Sequence, residues 1–149
     1  MNITTEQIKS LRDKTGVSIS QCRDALVAAG GEMEKALEIL RAKSADIAAK
    51  KADRVLASGV VASYVHGGAL GALLKLQCET DFVARNPEFK ALAEDLALHV
   101  SAMSPESIPA LLEQPFVKTP EQTVASVITS AIQKFGEKIE IGGFQTLSL

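Results

Sequence analysis

The chain of 149 residues has about the length of one ordinary domain, or of two small ones. Hydrophobic residues make up 46% and charged residues 23%, a balance that excludes a disordered chain and suffices for a buried core. A net charge of −2 argues against a protein whose main task is to grip nucleic acid or an anionic membrane.

Charge is unevenly spread. Residues 1–54 hold ten Lys/Arg against eight Asp/Glu, and the remainder hold six against ten, as two units with different surfaces would. The N-terminal stretch "MNITTEQIKSLRDKTG" has no apolar leader region, and no run of 18 apolar residues occurs, so the reading is a chain neither secreted nor membrane-spanning.

Residues 1–42 read as a module of three short helices. Thr4 or Thr5 can cap the first, with Ile8 and Leu11 on one face, and Gly16 stops it. Ser18 caps the second, with Gln21 at the capping-box position and Ile19, Cys22, Ala25, Leu26 and Ala29 as the apolar side. After Gly30-Gly31, the spacing of Met33, Ala36, Leu37 and Leu40 predicts the third. Residues 43–56, rich in Ala and Lys, read as a solvated helical linker, its basic residues a solvated face.

The remaining chain, 57–149, changes texture. "SGVVASYVHGGALGALLKLQCET" alternates β-branched and small residues around a glycine turn, a hairpin whose second strand is 70–78. Val61, Ser63 and Val65 face one way, and Val60, Ala62 and Tyr64 the other. Asn86 and Pro87 then open a helix carrying Phe89, Leu92, Ala93, Leu96 and Val100. The proline-rich stretch 103–116 is a connection with one short helical turn. Thr119-Pro120-Glu121-Gln122 reads as the start of another helix, which Gly136 ends. "KIEIGGFQTLSL" closes the chain as the third strand of a sheet. The predicted fold is α+β: a three-helix module, a helical linker, and a core of three antiparallel strands packed with helices.

No catalytic constellation emerges. Cys22 and Cys78 stand at no metal-ligand spacing and read as buried free thiols of a reducing compartment. His66 reads as an exposed turn residue and His99 as a surface or boundary residue of its helix. There is no phosphate-binding loop and no nucleophile elbow, so the chain reads as a non-enzyme without metal or cofactor. One segment stands out. In "CETDFVARNPEF" (78–89), Thr80 or Asp81 can cap a helical turn at Phe82-Val83-Ala84 directly after a strand. With only five Phe in the chain, composition alone favours a core position for Phe82.

Several stretches together resemble one family: "LRDKTGVSISQCRDAL" (11–26), "KALEILR" (35–41), "AAKKADR" (48–54), "LLEQPFVK" (111–118), "FGEKIEI" (135–141) and, above all, "CETDFVARNPEF". They resemble bacterial elongation factor Ts, over nearly the whole chain. The resemblance implies a guanine-nucleotide exchange factor for elongation factor Tu, GDP-bound or nucleotide-free, in the cytoplasm or an organelle matrix. It implies a ubiquitin-associated-like N-terminal module that docks on the G domain. It also implies that Thr80, Asp81, Phe82 and Val83 meet the partner and disturb its magnesium site, with Phe82 as the wedge. Arg12, Ile19, Ser20 and Arg23 match family positions facing the same G domain. Two departures are visible: Ile19-Ser20 stand where the family often has two Met, and Gly142-Gly143 where the last strand often has two Arg. The chain is similar in its shortness to short-form members of that family, which work as homodimers, so the resemblance implies a homodimer, through the final strand and neighbouring helices. A reading from another class is a peptide-binding adaptor that uses the three-helix module alone.

Overall fold

A computed structural model describes residues 2–149, and two compact units divide them: the chain up to Ala52 together with Thr129–Gly136, and Asp53–Ile128 together with Glu137–Leu149. In the first unit, α1 (Thr5–Thr15) opens with a full capping box. The Thr4 hydroxyl accepts from the Gln7 amide, and the Gln7 side chain accepts from the Thr4 amide. Gly16 closes it in the left-handed region at φ 68°. The α2 helix (Ile19–Ala28) starts on Ser18, whose hydroxyl accepts from the Gln21 amide. Leu11, Val17, Cys22, Leu26, Ala36 and Leu40 are buried in one cluster, as the helical spacing requires.

The third helix is longer than its apolar stripe suggests. α3 runs unbroken from Met33 to Lys50, so the Ala/Lys stretch is largely its continuation. Ser44 on it is buried, and its hydroxyl bonds the Leu40 carbonyl and the Gln133 side chain. A second partner for this face therefore comes from far along the chain, which local periodicity cannot reveal.

The second unit is built on a three-stranded antiparallel sheet in the order β1-β2-β5, from β1 (Ser58–His66), β2 (Leu70–Cys78) and β5 (Glu140–Ser148). Gly67 and Gly68 both take positive φ, and the Ala69 amide closes the turn onto the His66 carbonyl. Lys75 pairs with Gly143 and Leu76 with Ile141, which leaves Gly142 as the extra residue of a β-bulge. Two further helices follow β2 directly: α4 (Asp81–Ala84) and α5 (Pro87–Met103), the latter packed on β1 and β2. Ala62, Ala72, Leu74, Leu76 and Ile141 are buried, whereas Val61, Val65, Leu73 and Leu147 on the alternate positions are exposed.

Beyond α5 come α6 (Ile108–Glu113), β3 (Pro115–Phe116), β4 (Thr119–Thr123) and α7 (Val124–Phe135). Here two expectations are corrected. The Thr119-Pro120-Glu121-Gln122 stretch is strand, paired with β3, and α7 begins only at Val124, with the Thr123 hydroxyl accepting from the Ser126 amide. The tertiary pairing with Phe116 overrides a local helix-start signal. His99 is fully buried: its ring stacks on Phe116 at 5.6 Å. Its Nδ1 accepts from the Val117 amide at 3.2 Å, so Nε2 carries the proton and donates to Gln114 at 2.9 Å. This imidazole is a structural pin between α5 and the β3–β4 connection.

Candidate partner-binding site

The sheet delivers the segment that stood out. β2 ends at buried Cys78, and two residues later Thr80 caps α4. Thr80 takes an extended conformation, and its hydroxyl accepts from the Val83 amide at 3.4 Å. The Cys78 thiol donates to the Thr80 carbonyl at 3.3 Å. Burial pushes that thiol up, and the nearby Glu137 carboxylate adds to the effect. Asp81 accepts from the Ser58 hydroxyl at 2.6 Å, which ties the first turn of α4 to the start of β1.

A single helical turn separates inside from outside. Val83 and Ala84 are buried, and Phe89, at the start of α5, is fully buried. Phe82 is 86% exposed. Composition favoured a core position for it, and that expectation is overturned. Phe89, not Phe82, fills the place under the sheet. The ring therefore stands in solvent at the second position of a capped turn whose next two residues are buried. Of the four residues singled out here, Thr80, Asp81 and Phe82 are exposed, and Val83 is buried.

In the first unit, Arg12 on α1 and Ile19, Ser20 and Arg23 on α2 are all exposed. Arg23 pairs with Asp24 at 3.4 Å in open solvent, a contact of roughly 0–1 kcal/mol that leaves the guanidinium available. Val27 is exposed as well and lies one turn beyond Arg23, so Ile19, Arg23 and Val27 form a stripe at i, i+4, i+8. Sequence reasoning passed over Val27 because the core stripe did not need it. It also missed Ser58 and Glu137, whose partners around Thr80 and Asp81 lie far apart in the chain. Among the described residues no group of three His, Cys, Asp or Glu side chains is placed to hold a metal ion, and no helix is long and apolar enough to cross a membrane.

The family model described as Elongation factor TS matches residues 79–149, from the corner after β2 to the end of β5. Elongation factor Ts of Carboxydothermus hydrogenoformans is 38% identical, with 99% of this chain and 89% of the relative covered. That of Desulforamulus reducens is 37% identical, with 95% and 87% covered. The chain belongs to the elongation factor Ts family. Elongation factor Ts of Thermodesulfovibrio yellowstonii, 36% identical over 97% of this chain and 94% of its own length, supports the same assignment. Elongation factor Ts proteins are translation elongation factors, and the exposed Phe82 sits inside the region that their family model describes.

Proposed function

We propose that this protein binds elongation factor Tu and promotes release of its GDP, with Phe82 as the residue that enters the GTPase. One observation carries the reading: a phenyl ring held in solvent on a capped turn whose other members are buried or hydrogen-bonded. Release requires a factor that prefers the nucleotide-free GTPase. Coupling is reciprocal, so the factor weakens nucleotide by the ratio in which nucleotide weakens the factor. Each tenfold in that ratio requires about 1.4 kcal/mol of contact made in one state and not the other. Full burial of one Phe contributes roughly 1.5–3 kcal/mol, enough for one or two decades. In such GTPases magnesium bridges the phosphates to protein ligands, so an aromatic that displaces those ligands loosens the nucleotide further. The chain needs only contacts for this, and no bond is made or broken.

The exposed stripe Ile19, Arg23 and Val27, with Arg12 and Ser20, supplies a second contact in this reading, which raises affinity without deciding between nucleotide states. A homodimer completes it. Val61, Val65, Leu73 and Leu147 line one face of the sheet without cover, and a second copy laid on that face would bury them.

The test is calorimetric titration of this protein into elongation factor Tu with and without GDP. The expected result is binding at least tenfold tighter to the nucleotide-free form. Equal affinity for the two forms would exclude a factor that weakens nucleotide binding, because equal binding shifts no equilibrium.

A further inference from the structure

We propose that Glu137 is a positioning residue for Phe82: its carboxylate holds the corner from which the aromatic projects, and nucleotide release depends on it through Phe82. The proposal rests on the exchange reading above. It starts from a missing partner. In a capping box the third helical residue returns a side-chain acceptor to the amide of the cap residue, as Gln7 does for Thr4 at 2.9 Å. In α4 the third residue is Val83, which is apolar and buried, so the Thr80 amide has no such acceptor within its own helix.

Glu137 supplies it from the other end of the unit. One carboxylate oxygen accepts from the Glu79 amide at 3.1 Å and the Thr80 amide at 3.0 Å, and the other accepts from the Thr80 hydroxyl at 2.6 Å. The third bond commits the hydroxyl proton to Glu137. A lone pair of the same oxygen is thereby left to face the Val83 amide, which is the cap bond itself. Glu79 answers in the opposite direction: its carboxylate accepts from the Lys138 amide at 2.6 Å and lies 3.5 Å from the Arg54 guanidinium. The chain at 79–80 and the chain at 137–138 therefore bracket each other through two carboxylates.

This bracket is more than the core requires. The corner is at the surface, and Val83, Ala84 and Phe89 already fasten the segment to the hydrophobic interior. The bracket fixes the turn from which Phe82, 86% exposed, projects. A wedge that wanders must be ordered on docking, whereas a held one meets its pocket with that entropy already lost.

The experiment is a double-mutant cycle on the full chain, read as the rate of GDP release from elongation factor Tu at saturating factor, with thermal melting alongside. Glu137→Ala removes charge-assisted bonds to two amides and a hydroxyl and is expected to slow release about tenfold or more. Glu137→Gln keeps an oxygen for the amides but no acceptor for the hydroxyl proton, and should fall between. In a Phe82→Ala background neither change should slow the residual release further, while melting shifts by the same amount in both backgrounds. The proposal is overturned if Glu137→Ala releases GDP as fast as wild type. It is equally overturned if the loss is the same factor with and without Phe82, or if neither Glu137 variant folds, since the residue then serves the fold alone. A wild-type protein that releases no GDP would sink the exchange reading and this one together; normal wild-type release with additive losses would sink this one alone.

Discussion

Phe82 and Phe89 lie seven positions apart and are expected to respond oppositely to truncation. Phe89 is fully buried, so Phe89→Ala removes its transfer free energy and leaves a cavity, at a cost of about 3–5 kcal/mol. Phe82 is 86% exposed, so Phe82→Ala should cost no more than about 0.5 kcal/mol. At this chain length each kcal/mol corresponds to roughly 2–4 °C in melting temperature. Phe89→Ala should therefore melt some 6–20 °C lower (an order-of-magnitude range), and Phe82→Ala within about 2 °C of wild type. Affinity for nucleotide-free elongation factor Tu should show the reverse. Loss of the roughly 1.5–3 kcal/mol that one Phe contributes on burial weakens binding by about 10- to 100-fold for Phe82→Ala. Differential scanning calorimetry and isothermal titration on the two variants decide the matter. A Phe82→Ala protein that melts many degrees lower, or that binds the partner as tightly as wild type, would refute the reasoning.

Burial elsewhere in the molecule leads to three further outcomes. Val83→Ala removes two buried methyl groups, so it should cost roughly 1.5 kcal/mol on a denaturant curve and slow release less than Phe82→Ala does; a larger loss of release would make Val83 a contact residue. Leu73 is half-exposed at the centre of the uncovered sheet face, so Leu73→Glu should leave the monomer folded and convert a dimer to a monomer by light scattering; a dimer that survives the charge lies elsewhere. Burial raises both thiols, Cys22 and Cys78, so the folded chain keeps their protons at pH values where the unfolded chain releases them. Above about pH 8.5 the unfolded state then binds fewer protons, and stability falls as pH rises. The urea midpoint should drop between pH 8 and 9.5, and replacing both Cys by Ala should flatten that slope; an unchanged slope would contradict the burial argument.

Much of this was legible in the residues, where one period or one cap decides the outcome. The Gly67-Gly68 turn, the Asn86-Pro87 helix start and the Thr80 cap all follow from local chemistry, and the structure has each of them. The alternation along β1 correctly separated Val61 and Val65 from Ala62. What failed was non-local. The helix signal at Thr119-Pro120 yields to strand pairing with Pro115 and Phe116, and His99 is drawn inside by bonds to Gln114 and Val117. Phe82 was the instructive miss from composition: scarcity of aromatics argues for burial of each, but only packing tells which of two nearby Phe the core accepts. Glu137 could not be found from spacing, because it stands far along the chain from Thr80 and an exposed cap amide, which water can satisfy, signals no distant acceptor.

The most direct test of the central claim is the rate at which fluorescent GDP leaves elongation factor Tu, followed after mixing with increasing amounts of this protein in excess unlabelled GDP. The account predicts acceleration that rises to a plateau with wild type and falls at least tenfold with folded Phe82→Ala. A release rate independent of the protein, or one that folded Phe82→Ala supports as well as wild type, would contradict it.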